Sequence, residues 1–121
     1  MSLFRVLGLG GLLLGFAAHS VFAAELVMLE QQGCSWCKRW NEEIGVAYDK
    51  TDEGQRAPLR RVDIDEPWPE DLKAVRLERM TPTFILVEKG REVARLRGYP
   101  GAHFFFPLLT EMLAKLPQST N

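Results

Sequence analysis

A chain of 121 residues holds one domain. Its 15 basic side chains nearly balance 16 acidic ones, for a net charge of −1, which removes any electrostatic case for nucleic acid or an anionic membrane surface. Hydrophobic residues make up 46% of the chain, an ordinary share for a globular domain that the first stretch inflates.

That first stretch reads as targeting. Met1 to Arg5 is a short, positively charged start, and Val6 to Ala18 is an apolar run rich in Leu and Gly. Val21-Phe22-Ala23 offers small or medium residues before a cleavage point. This is the pattern of a secretory signal over residues 1–23, cut after Ala23. The alternative is an uncleaved anchor helix, but the apolar core is short of the roughly 20 residues a spanning helix needs. Residues 24–121 remain as the domain.

Leu26 to Leu29 is a short apolar run and reads as a buried strand. Gln31-Gln32-Gly33 breaks it, and a helix is expected from about Cys34 to Tyr48. Trp36, Trp40, Ile44, Ala47 and Tyr48 recur on it at helical spacing as one apolar stripe. The polar run Asp49 to Gln55 ends it near Gly54. Leu59 to Ile64 is a second strand. Asp65-Glu66-Pro67-Trp68-Pro69 turns into a short helix, with Pro69 at its first position, Glu70 and Asp71 at its positive end, and Leu72 and Val75 as anchors. Phe84 to Val87, apolar on both faces, is a central strand. Glu88-Lys89-Gly90-Arg91 is a hairpin turn, and Val93 to Arg97 returns. After Gly98-Tyr99-Pro100-Gly101, a last helix spans about Ala102 to Leu116, cored by Phe105, Leu108, Leu109, Met112 and Leu116. Pro107 is tolerable there if it falls in the first turn, where amides have no partner within the helix. The crossover rule makes the first two strands parallel, and the Lys89-Gly90 turn makes the last two antiparallel. The fold class is α/β, ordered β-α-β-α-β-β-α, with a mixed four-stranded sheet and helices on both faces.

The chain has two cysteines, three apart, at Cys34-Ser35-Trp36-Cys37. A staple across so small a loop stabilises little, so a chemical role is favoured over a structural one. A C-x-x-C pair between a strand and a helix is a thioredoxin-like redox motif. A structural zinc needs four ligands, and only two cysteines and two histidines exist, with His19 inside the signal. Copper(I) accepts fewer soft ligands, which leaves a carrier role open. No cofactor and no resident metal are expected.

With Met80-Thr81-Pro82-Thr83 ahead of the hairpin, Gly98 closing it and a Leu-rich last helix, the chain resembles the thioredoxin superfamily in its minimal form. Gly33 to Trp40, Ala57 to Asp63 and Gly98-Tyr99-Pro100-Gly101 resemble the exported thioredoxin-like proteins of bacterial sulfur-oxidation (Sox) systems, the SoxS type. The resemblance implies a periplasmic thiol–disulfide oxidoreductase acting on protein disulfides. Its partners would be a sulfur-carrying protein and an upstream membrane thiol transporter. Two other readings stand beside it. One is an oxidant or isomerase of folding proteins, and the other a module that holds a partner or copper without turnover.

The attacking species in disulfide exchange is a thiolate, and a free thiol titrates near 8.5. Cys34 at a helix start faces unpaired amides and the positive end of the dipole, and Lys38 and Arg39 add charge one turn on. Cys34 is therefore expected to attack with a depressed pKa, and the shielded Cys37 to resolve. By resemblance, the Thr81–Pro82 bond is cis and sits beside the cysteines, so that Thr81 offers backbone groups to an extended substrate. Trp36 is read as a partner contact. Tyr99 either rims the same groove or is a plain turn residue. The sequence departs from thioredoxins with Gly33 before the first cysteine, Ser35-Trp36 between the two, and Met28 where they carry a buried aspartate. Glu30, two residues nearer, is a candidate proton acceptor for Cys37 or a solvated strand end. The redox potential and proton route are what these changes leave open.

Overall fold

The computed structural model describes residues 24–117 and positions 8, 10–13 and 15. Most of the expected secretory segment, and its cleavage point after Ala23, lies outside the described residues. Strand β1 (Ala24–Glu30) is the organising element, because Leu26, Val27, Met28 and Leu29 are all fully buried. A strand covered on both faces must be continuously apolar, which is what this run is. It pairs parallel with β2 (Leu59–Asp63) and antiparallel with β3 (Thr83–Glu88), which in turn pairs antiparallel with β4 (Arg91–Arg97). The sheet order is β2-β1-β3-β4, the mixed four-stranded sheet expected.

Alternation along β1 and β3 splits the core in two. Leu26, Met28, Phe84 and Leu86 point to one face, where they meet Trp40, Ile44, Tyr48, Phe105, Leu109, Met112 and Leu113. The rings of Trp40, Phe84 and Phe105 form a cluster with centroids 5.0–5.7 Å apart. Val27, Leu29, Ile85 and Val87 point to the other face, under Leu72 and Val75 as expected.

The helix expected from Cys34 to Tyr48 is interrupted. Helix α1 (Ser35–Trp40) widens into one π turn, Asn41–Gly45, and Val46 donates back to the Asn41 carbonyl at 3.2 Å. A single 3₁₀ turn follows at Tyr48–Lys50. The apolar stripe loses Trp36 and Ala47 to solvent, while Trp40, Ile44 and Tyr48 keep it. The polar run that was expected only to end the helix starts another, α2 (Asp52–Arg56). Thr51 caps it: its hydroxyl accepts from the Gly54 amide at 2.9 Å and donates to the Tyr48 carbonyl at 2.6 Å. Asp52 and Glu53 then suit its positive first turn. Gly54 lies inside α2 because a Cβ there would stand 1.9 Å from the Tyr48 carbonyl oxygen.

The helix after Pro69 is a single 3₁₀ turn, Glu70–Leu72. Helix α3 spans Ala102–Leu113 and buries Leu113 in addition to Phe105, Leu109 and Met112. Pro107 falls beyond the first turn expected for it, so the His103 carbonyl lacks its usual amide donor.

Candidate active site

The chain leaves β1 through a turn closed by the Cys34 amide, which donates to the Gln31 carbonyl at 3.2 Å. Gly33 makes that turn possible with φ of +81°, a backbone state that side chains resist. Cys34 then caps α1 in extended geometry, and its sulfur accepts the Cys37 amide at 3.1 Å. Its carbonyl accepts from the Lys38 amide at 3.1 Å, the first bond of the helix.

A disulfide joins Cys34 and Cys37 across a Cα separation of 5.2 Å. The two sulfurs are unequal in access. Cys37 is 4% exposed within the core under α1, while Cys34 is half-buried at its edge. An open cleft of about 400 Å³ reaches both, lined also by Glu30, Gly33, Ser35 and Lys38.

The charges differ from expectation. Lys38 lies 3.9 Å from Glu42, and Arg39 donates to Glu43 at 2.6 Å, so both cations are partly answered by acids on their own helix. Glu43 holds the Arg39 guanidinium above its usual range, and Arg39 holds Glu43 below the usual carboxylate range. The direct polar contact to the Cys34 sulfur is therefore the Cys37 amide, not a free cation on the helix.

Glu30 is not a free strand end. It accepts from Arg61 at 2.6 Å, and Arg61 also donates to the Asn41 side chain at 2.8 Å and stands 5.9 Å over the Trp40 ring. Arg60 and Arg61 are thus both engaged, Arg60 with Glu25 and Asp71. Sequence reading misses these ties because the partners meet only in the folded chain, Glu25 and Glu30 through the parallel β1–β2 register and the others through elements packed on the sheet.

The Thr81–Pro82 peptide is cis. Thr83 pairs with Leu29 on one side and Arg97 on the other, and the Gly98 amide donates to the Pro82 carbonyl at 2.8 Å. The turn after β1, the Thr81–Pro82 bend and the Gly98 turn therefore leave the sheet at the same end. Thr81 is half-buried and Pro82 buried. Trp36 is 51% exposed, with the Arg39 guanidinium 5.3 Å from its ring centre. Leu77 and Met80 are also exposed just before the bend.

Tyr99, expected as a groove rim or a plain turn residue, is buried. Its ring is 7% exposed, packed 6.1 Å from Phe105, and its hydroxyl donates to Glu43 at 3.0 Å. Burial and then Glu43 push that phenol up to about 12. The hydroxyl closes a chain from the core through Glu43 and Arg39 to Trp36. Only an aromatic flanked by turn residues was visible beforehand; its carboxylate partner lies 56 positions away. His103 is exposed. Among the described residues there is no group of three or more His, Cys, Asp or Glu side chains that could hold a metal ion.

No protein-family model matches the chain, and no curated protein does. Solved structures do. The periplasmic thioredoxin SoxS from Paracoccus pantotrophus, in its reduced form, is 42% identical with a TM-score of 0.73, over 76% of this chain and 97% of that one. Thioredoxin from Fasciola hepatica is 22% identical with a TM-score of 0.57, over 76% and 84%. Thioredoxin from Malassezia sympodialis is 22% identical with a TM-score of 0.54, over 74% and 77%; these two speak for the fold alone. A two-cysteine cap on the first helix, a cis-proline bend at the same sheet end, and 42% identity across nearly all of SoxS leave one conclusion: the chain belongs to the thioredoxin superfamily, as a SoxS-like thiol–disulfide oxidoreductase.

Proposed function

We propose that this protein is an exported reductant of protein disulfides, working in the periplasm once residues 1–23 have been removed as a secretory signal. The observation that carries the reading is the inequality of the two sulfurs: Cys34 is reachable and accepts an amide hydrogen bond, and Cys37 is shielded. In the reduced protein the Cys34 thiolate attacks a substrate disulfide, forming a mixed disulfide and expelling one substrate thiolate. Cys37, passing its proton to the substrate thiolate just expelled, attacks the Cys34 sulfur, frees the second substrate thiolate and leaves the Cys34–Cys37 bond. Two electrons pass to the substrate, and an upstream membrane thiol transporter returns them.

The substrate docks as an extended segment across Thr81 and Pro82, with Trp36 as an apolar contact beside it. Tyr99 serves from beneath, steadying Trp36 through Glu43 and Arg39. The likeness to a periplasmic SoxS thioredoxin supports the compartment. A sulfur-carrying protein is the partner that the family resemblance implies.

Trapping tests this reading. The Cys37→Ser variant should accumulate a mixed disulfide through Cys34, releasable by dithiothreitol, and Cys34→Ser should accumulate none. If Cys34→Ser still reduces protein disulfides, the assignment is wrong. A reduction potential below the glutathione couple is the expected result; one well above it would make the protein an oxidant instead.

A further inference from the structure

The segment between the Glu70–Leu72 turn and β3 carries Leu77 and Met80 to the surface and ends in the Thr81–Pro82 bend. It has no regular structure of its own from Arg76 to Met80, yet its backbone is held at three points. Arg95 donates to the Arg76 carbonyl at 2.6 Å. The Met80 amide donates to Glu78 at 3.3 Å, and the Thr83 hydroxyl donates to the Met80 carbonyl at 2.7 Å.

Two of these ties converge on β4. Arg95 and Arg97 stand opposite Ile85 and Thr83, so both lie on the sheet face that the segment crosses. Arg97 Nε lies 2.9 Å from one Glu78 oxygen, and Arg97 Nη2 lies 3.4 Å from the other. Arg95 is 8% exposed at its side chain, and its Nη1 has no hydrogen-bond partner among the described residues; it faces Glu78 at 3.7 Å. Glu92 accepts from Nε and Nη2 of Arg95, the latter shared with the Arg76 carbonyl. Burying an arginine on an edge strand costs desolvation, so the pair is a weak source of stability and a strong source of fixed geometry.

We infer that Glu78, held between Arg95 and Arg97, is a positioning residue that fixes the 76–80 segment and thereby the Thr81–Pro82 edge on which a protein substrate docks. This rests on the docking role proposed above for Thr81 and Pro82. Loss of the clamp leaves the cysteines untouched and loosens only the surface that reads a polypeptide. A small disulfide, which needs no such edge, should not notice.

The test compares insulin with a small aromatic disulfide as substrates of the purified protein. Glu78→Gln should raise KM for insulin by roughly five- to tenfold, the effect of weakening one charged hydrogen-bond set, with kcat little changed. Turnover of the small disulfide should stay at the wild-type rate. Exchange of the Met80 amide with solvent, read by NMR, should speed up severalfold. Arg97→Met, on an exposed side chain, should reproduce all three results if Glu78→Gln fails to fold. An unchanged KM for insulin in a folded variant, or an equal loss on both substrates, overturns the inference. A wild-type protein that does not reduce insulin defeats the functional reading instead, and the Met80 amide still decides the clamp.

Discussion

Gly33 and Gly54 look alike in the sequence and are required for different reasons. A Cβ on Gly33 would meet nothing within 4 Å, so Gly33→Ala costs only its left-handed backbone, about 1 kcal/mol. A Cβ on Gly54 would collide with the Tyr48 carbonyl, so Gly54→Ala must displace the turn that Thr51 caps and should cost several times as much. Urea unfolding of the two variants checks the order. Trp40 makes a related contrast. Its indole nitrogen is buried without a hydrogen-bond partner among the described residues, so its contribution is packing against Tyr48, Phe84 and Phe105. Trp40→Phe should therefore be mild. Trp40→Ala should cost about 3–5 kcal/mol, a large part of the roughly 5–15 kcal/mol that holds a domain together, and a thermal melt will show it. The cysteines were legible because their chemistry lies in their spacing. The burial of Tyr99 was not, because it depends on Phe105 and Glu43, which only the folded chain brings near.

The elements most readable in the sequence are the strands. Continuous apolar runs can serve only a sheet covered on both sides, and β1 and β3 match their expected cores with added residues at the ends. The region from Asn41 to Arg56 was misread, because periodicity cannot register a π turn, and a Thr-Asp-Glu cap inside a polar run resembles a loop. What joins the elements is charge. Arg60 ties Glu25 of β1 to Asp71 of the short turn, and Glu78 ties the bend to β4. Arg60 holds the Asp71 carboxyl below its usual range. The Met80 amide, followed by Arg97, does the same for Glu78. A lowered folded-state pKa gives stabilisation that is complete above the unfolded value, about 4, and lost as pH falls through the folded one. Stability measured by urea midpoint should thus hold at neutral pH and decline below about pH 4, with a shallower decline in Arg60→Met. Asp71 faces solvent, so its share of the amplitude should be small and should shrink further in salt, while Glu78 is more enclosed, between Arg95 and Arg97.

At the scale of the whole molecule, the two hydrophobic layers and the sheet between them serve to bring three turns to one end: the cysteine turn, the cis-proline bend and the Gly98 turn. The order of elements made this arrangement foreseeable, since a parallel crossover followed by a hairpin allows few other sheets. The clamp at the bend was not foreseeable, because only the strand register sets Arg95 and Arg97 against Glu78. The arrangement has chemical value only if the Cys34 sulfur is poised as an anion at neutral pH. Alkylation of the fully reduced protein with iodoacetamide as a function of pH, with the modified residue located by mass spectrometry, reads that directly. The account predicts that Cys34 reacts first, with an apparent pKa well below the free-thiol value of about 8.5. A Cys34 value at or above that figure, or Cys37 reacting first, would contradict it.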